Sequence, residues 1–191
     1  MLASEKSIKD IFWFRQFLVR WFSYGLISVS TFMIILGLAM NESHVFFSFF
    51  VALFSALPLI LLNKKKNFEA SMVLLLGLTI VMMYRSLEIR STGTAMFLVI
   101  LLILAGILTN GKMIHFLFCL NMGFVVFAAT MGIFDWSQTT NIETGLYYSN
   151  TVSDLIPMLC LGYITSLIIY KVLLGTIKRQ RSEERRVGER V

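Results

Sequence analysis

Six long apolar stretches, each of about 15 to 22 residues, constrain the fold of this chain most, because about 20 such residues span a bilayer. Lipid offers backbone groups no hydrogen-bond partner, so each stretch must form a helix or part of a closed barrel. Barrel strands alternate apolar and polar residues, whereas residues 97–104 are apolar on every side. The pattern therefore predicts transmembrane helices.

The composition excludes three other classes of protein. Hydrophobic residues make up 57% of the 191 residues, charged residues make up 15%, and there are 2 cysteines. A soluble domain carries about 45–50% apolar and about 25% charged residues. These values exclude a soluble globular enzyme, a disulfide-stapled secreted domain and a disordered tail.

The fold class that we predict is all-α, a polytopic membrane bundle of six transmembrane helices. The turn Asn110-Gly111-Lys112 follows the fourth stretch. Because asparagine and glycine tolerate positive φ, spans four and five should form a close antiparallel pair. The predicted spans are residues 21–40, 45–62, 68–87, 94–109, 113–134 and 153–174.

Lysine and arginine in the short loops predict the orientation, because they favour the cytoplasmic side. On the other side we expect only Arg85 and Arg90, so both termini are predicted to be cytoplasmic. Topology and contact with anionic lipid explain the basic loops and the net charge of +6. Specific headgroup binding is the alternative, and no nucleic-acid partner is predicted. The basic residues on the cytoplasmic side are Lys6, Lys9, Arg15, Arg20, Lys64, Lys65, Lys66, Lys112, Lys171, Lys178 and Arg179.

The segment before the first span is amphipathic. Between residues 8 and 22, apolar residues such as Phe14 and Leu18 share one broad helical face, and charged residues such as Arg20 lie mainly elsewhere. This pattern predicts an interfacial helix on the cytoplasmic leaflet. The alternative is a cleaved signal that ends at residue 39, although its apolar core is longer than the 7–15 residues expected of a signal.

The sequence contains no arrangement of residues that is typical of a catalytic site or a cofactor-binding site. Cys119 and Cys160 lie inside spans and have no partner at metal-ligand spacing. His44 and His115 lie at opposite ends of their spans, roughly a membrane thickness apart, and cannot share one haem iron. No span carries a charged residue near its centre, which argues against a pump or a proton-coupled carrier. We therefore expect no catalytic residue, no metal site and no cofactor.

Two groups of residues are candidates for sensing a ligand. Asn121 lies roughly 12 Å into span five, where its amide must bond either to another helix or to a ligand. The predicted outer rim is net negative and contains a histidine, which titrates near neutrality. The alternative is that these acidic residues have no sensing role and are merely tolerated on the non-cytoplasmic side of the membrane. The rim candidates are His44, Glu88, Asp135 and Asp154.

The end of the chain resembles a sequencing artefact. The run Arg181-Ser-Glu-Glu-Arg-Arg-Val-Gly188 is similar to the peptide obtained when a common short-read sequencing adapter is translated in frame, although residues 189–191 depart from that pattern. This resemblance implies that residues 181–191 are not native and that the native sequence is interrupted near Gln180. The alternative is an ordinary charged helix, such as the start of a coiled coil.

The layout of residues 21–180 resembles the six-span sensor region of bacterial sensor histidine kinases and, less often, of diguanylate cyclases. The matching features are two cytoplasmic ends, a basic loop after span two, the Ser91-Thr92-Gly93 outer loop, the turn at residues 110–112 and the run from span six to Gln180. The resemblance implies a homodimer in the bacterial inner membrane, with a cytoplasmic output domain. The implied units are a cytoplasmic segment (1–20), a sensor-like domain (21–174), a signalling helix (175–180) and a non-native tail (181–191).

Three functions are candidates for this sequence. The resemblance implies a sensory input module that passes a stimulus through span six to an output domain, most often a histidine kinase. The alternative is a complete small transporter, channel or accessory subunit. An intramembrane enzyme is the third candidate, but only Asn121, Thr130 and the rim residues could supply its polar groups.

Overall fold

The computed structural model describes residues 2–40, 44–89, 95–134 and 152–188, and the regular structure of these residues is entirely helical. Five of the six helices, all except α4, contain a segment that is long and apolar enough to cross a membrane. The predicted all-α fold is therefore confirmed for the described residues. In chain order the helices are α1 (Leu2–Met40), α2 (His44–Asn63), α3 (Asn67–Ile89), α4 (Phe97–Leu108), α5 (Gly111–Thr130) and α6 (Val152–Gly188).

The hairpin of α2 and α3 agrees closely with the second and third predicted spans. Its tight turn places Lys65 at a φ of 59° and closes with a 3.0 Å hydrogen bond from the Lys66 amide to the Leu61 carbonyl. Within the hairpin, the Phe54 ring lies against Gly77 and occupies the space that a β-carbon would need. The absence of a side chain at Gly77 therefore lets α2 and α3 approach closely.

Helix α1 contains the first predicted span, and its residues Trp13–Ala39, whose side chains the structure describes, are apolar enough to cross a membrane. The helix continues unbroken from Leu2 to Met40. At 1.5 Å per residue its 39 residues extend about 58 Å, well beyond the roughly 30 Å of a hydrocarbon core. The interfacial position of the first turns stays a prediction.

Helix α4 is shorter than the fourth predicted span. Its 12 residues rise about 18 Å, little more than half of a hydrocarbon core. The helix ends where Thr109 and Asn110 adopt extended backbone angles. The Asn110 side chain then caps α5 by accepting a 3.0 Å hydrogen bond from the Met113 amide.

Helix α5 ends four residues before the predicted end of span five. Gly132 adopts a φ of +66°, a left-handed conformation that glycine tolerates, and the Ile133 amide donates back to the Ala128 carbonyl at 2.9 Å. The chain therefore turns back, and Phe134 packs edge-on against Phe124 with only 2% of its surface exposed.

Contacts between successive helices define the two ends of the bundle. A β-carbon added at Gly37 would lie 2.8 Å from Val45, so α1 and α2 run antiparallel. Arg15 near the start of α1 bonds to Thr109 at the end of α4, so these residues share one end with the α2–α3 turn. We call this end, with turn residues 64–66 and 109–110, the basic end, and the end that contains Arg85 and Phe134 the opposite end.

The buried side chains form two clusters. The first joins α1, α2 and α3 to the end of α4 and the start of α5, through residues such as Val19, Leu75 and Ile114. The second lies at the opposite end and joins the start of α4 to the end of α5 and the first turns of α6, through residues such as Leu98 and Leu155. Because α4 contributes to both clusters, this short helix connects the two halves of the core.

Candidate functional site

Helices α4 and α6 approach each other so closely that glycine is needed on both. A β-carbon added at Gly106 of α4 would lie 2.5 Å from the Ser166 carbonyl oxygen and 2.9 Å from its Cα. A β-carbon added at Gly162 of α6 would lie 2.8 Å from the Val99 side chain. Because neither glycine carries a side chain, α4 and α6 can pack with their backbones close together.

Arg15 connects α1 to the basic end of α4. Its guanidinium donates to the Thr109 carbonyl at 3.3 Å, and Thr109 is fully buried. A cation at this position complements the negative C-terminal end of a helix. Beside this bond, the Tyr170 ring of α6 would lie 3.2 Å from a β-carbon at Gly111. Three helices and the α4–α5 turn therefore meet at the basic end.

Asn121 lies inside the bundle, as its depth in span five predicts. Its side chain is 1% exposed, and its amide nitrogen donates to the Leu98 carbonyl in the first turn of α4 at 3.5 Å. The amide oxygen is buried and has no hydrogen-bond partner within the described residues. This geometry favours the interpretation of Asn121 as a link between helices, and a ligand contact stays untested.

Replacing Asn121 by leucine is expected to change the free energy of unfolding by less than about 1 kcal/mol. Hydrogen bonds between membrane helices contribute about 0.6 kcal/mol on average, and the substitution also removes a buried oxygen that has no partner. Denaturant unfolding in detergent micelles measures the change. A loss above about 2 kcal/mol would show that the amide makes a stronger bond than the 3.5 Å contact.

The structure describes the side chains of two of the four predicted rim residues. Glu88 forms an ion pair with Arg85, whose side chain is buried and whose guanidinium carbon lies 5.3 Å from the centre of the Phe47 ring of α2. Asp154 lies in the first turn of α6 and is partly exposed. The side chain of His44 at the start of α2 and the whole of Asp135 lie outside the described residues.

The predicted basic residues gather at the basic end. Lys64, Lys65 and Lys66 are exposed in the α2–α3 turn, and Lys66 pairs with Glu69 at 3.0 Å. Lys112 is exposed in the first turn of α5. Lys178 and Arg179 are exposed on the part of α6 that continues past Tyr170. The charge separation expected from the sequence is thus present, while the compartment that this end faces stays a prediction.

One polar pair was not anticipated from the sequence. The Tyr163 hydroxyl of α6 lies 2.6 Å from Nδ1 of His115 on α5, and the Tyr163 ring stacks on Phe118 with a centroid distance of 4.2 Å. His115 is an isolated histidine in the sequence, and no spacing rule connects it to a tyrosine 48 residues later. Only the packing of α5 against α6 brings them together.

The cysteines do not form a disulfide with each other. Cys119 is exposed, Cys160 is partly buried, and both are free thiols. Within the described part of the chain, no three histidine, cysteine or acidic side chains are placed to hold a metal ion.

Comparisons with known proteins do not assign a family. No protein-family model, no curated protein and no solved structure matches the chain.

Proposed function

We propose that residues 21–174 are a membrane-embedded sensory input module, which passes a stimulus through α6 to a cytoplasmic output domain. A histidine kinase is the proposed output, because the layout of the chain resembles the sensor region of that family. The stimulus would act at the opposite end or within the bundle, where Glu88, Asp154 and Asn121 lie.

The continuity of α6 is the observation that carries this proposal. The helix begins in the opposite-end cluster, where Leu155 and Leu159 are fully buried, and continues unbroken past Tyr170 at the basic end. Between Tyr170 and Arg179 it rises about 13 Å further. A change in packing at one end would therefore reach the other end along one continuous helix, which contains Pro157 near its start.

The contact of α6 with α4 supports a movement between discrete positions. At Gly106 and Gly162 the two helices pack closely without an intervening side chain, so a shift of α6 along α4 would repack this contact. Packed helices with such interfaces change between discrete arrangements rather than deform continuously. A stimulus shifts that equilibrium only if it binds the two arrangements with different affinity.

The proposal includes a topology and a set of partners. All six helices are proposed to cross the bacterial plasma membrane, with α4 as a short fourth crossing and with both termini in the cytoplasm. The first turns of α1 would lie on the inner leaflet. The lipid bilayer, a second copy of the chain and the output domain are the proposed partners. The segregation of basic residues to one end supports this orientation.

The experiment joins the catalytic region of a soluble histidine kinase to the chain after Gln180 and inserts one to seven alanines after Arg179. Each alanine rotates the kinase by about 100° relative to the bundle. If α6 transmits the signal as a rod, autophosphorylation in membranes should vary at least fivefold with the number of alanines. Seven alanines, close to two turns, should restore the starting value.

Two controls define the outcomes. A flexible glycine-serine insert of equal length should give one constant activity, and a periplasm-only reporter fused after Arg179 should be inactive. Activity that does not depend on the number of alanines would contradict transmission through α6. Solute flux through liposomes that contain the unmodified chain would instead support the transporter or channel alternative.

A further inference from the structure

The His115–Tyr163 pair has one more hydrogen-bond donor than it uses. A neutral imidazole carries one N–H and a tyrosine carries one O–H, so the pair has two donors. The 2.6 Å bond between them uses one, whichever group donates. Among residues 2–40, 44–89, 95–134 and 152–188 the pair makes no second hydrogen bond. One N–H or O–H is therefore left for another partner.

The pair lies on the outer surface of the bundle, within a predicted membrane span. His115 is exposed and is part of the apolar segment Gly111–Thr130 of α5. It lies one helical turn deeper than Lys112, which marks the basic end. An unsatisfied donor that faces hydrocarbon is costly, and an ionisable residue within a membrane span indicates a functional site. The partner of the free donor should therefore be a hydrogen-bond acceptor that dissolves in the membrane.

Three aromatic side chains adjoin the donor and form what we call the aromatic surface, namely the exposed Phe116 and the partly buried Phe118 and Tyr163. The rings of Tyr163 and Phe118 stack at 4.2 Å with 21° between their planes, and the His115 ring lies 5.6 Å from the Tyr163 ring. Phe116, next to His115 in the chain, is 53% exposed. Aromatic faces bind other planar rings in offset or edge-on contacts. The site thus combines one donor with surfaces that suit a planar ligand.

We propose that the His115–Tyr163 pair binds the head group of a lipid-soluble quinone, with a ring carbonyl accepting the free hydrogen. Such a ligand is planar, carries carbonyl acceptors and lies within the membrane near its interface. The ester carbonyl of a phospholipid could accept the same hydrogen but has no ring to lie on the aromatic surface. This binding site does not depend on the sensory function proposed above.

The experiment uses the whole chain in phosphatidylcholine nanodiscs and ubiquinone-1 as the probe. The fully substituted ring of this quinone has no free position for the exposed thiol of Cys119 to attack. Calorimetry measures the dissociation constant, and infrared difference spectroscopy measures the quinone carbonyl band. We expect saturable binding and a carbonyl band shifted to lower frequency, as hydrogen bonding requires.

Three variants test which groups bind the quinone. The double variant H115F/Y163F removes both donors and should bind about five- to tenfold more weakly, because one hydrogen bond contributes about 1 kcal/mol. Y163F keeps the imidazole N–H and the ring stack, so it should lose less affinity. T130V removes an exposed hydroxyl at the other end of α5 and should bind like the unmodified chain.

The proposal is overturned by any of three results. The first is that the unmodified chain binds ubiquinone-1 but the quinone carbonyl band does not shift. This result does not depend on whether any variant folds. The double variant, eluting as a single folded species, could bind within twofold of the unmodified chain. Lastly, the substitutions could change only the phospholipid ester band, which would assign the free donor to a lipid.

Discussion

Replacing Gly106 by alanine is expected to lower the free energy of unfolding by about 2 kcal/mol. The new β-carbon would lie 2.5 Å from the carbonyl oxygen of Ser166 and 2.9 Å from its Cα, and backbone cannot move aside as a flexible side chain can. Overpacking of this kind costs about 1–3 kcal/mol. Denaturant unfolding in detergent micelles, followed by circular dichroism, measures the loss.

The same substitution at Gly123 is the matched control. Gly123 also lies within a helix, but nothing lies within 4 Å of a β-carbon placed there. Alanine should therefore raise the free energy of unfolding by about 0.5–1 kcal/mol, because glycine in a helix interior loses more backbone entropy on folding. Effects of equal sign at Gly106 and Gly123 would contradict the close contact of α4 with α6.

Replacing Arg85 by methionine is expected to cost about 2–3 kcal/mol of stability. The side chain of Arg85 is only 9% exposed, is paired with Glu88 and lies over the Phe47 ring. Losing a hydrogen bond between charged groups costs about 1.5–3 kcal/mol, and the contact with the Phe47 ring contributes about 1 kcal/mol more. No buried charge is left unpaired, because the Glu88 side chain is 38% exposed and can be solvated. Methionine retains an apolar side chain of similar reach, so the loss reports on the charge.

The control for Arg85 lies at the other end of the same helix. Lys66 and Glu69 form an ion pair with the same three-residue spacing, but both side chains are 52% exposed. Lys66→Met should change the free energy of unfolding by less than about 0.5 kcal/mol, because exposed pairs contribute little. Equal losses of unfolding free energy in Arg85→Met and Lys66→Met would show that the burial of Arg85 and its contact with Phe47 add no stability.

The sequence predicts the helical fold correctly because helix formation within an apolar run is a local property. Each apolar run must satisfy its own backbone, so α2 and α3 agree closely with their predicted spans. Asn110 caps α5 with its side chain at a φ of −108°, and not at the positive φ on which the turn prediction rested. The length of α4 was predicted less well. The predicted fourth span begins at residue 94, whereas α4 begins at Phe97, although Ala95 and Met96 before it are apolar.

The candidate site was predicted only in part. The burial of Asn121 follows from its depth in a span, but its contact with Leu98 depends on how α5 is rotated against α4. Arg85 was predicted only as a loop charge near the membrane edge, whereas the structure buries it between Glu88 and Phe47. No local pattern contains that information.

Hydrophobicity and charge act on each segment separately, so the amino-acid sequence alone indicates a set of apolar helices joined by short, often basic loops. Which helices meet, that Gly106 lies against Ser166 and that Tyr163 bonds to His115 become apparent only in the packed bundle. These contacts depend on the rotation and axial register of one helix against another. Many side chains far apart in the chain set that register together, through shape complementarity between packed surfaces.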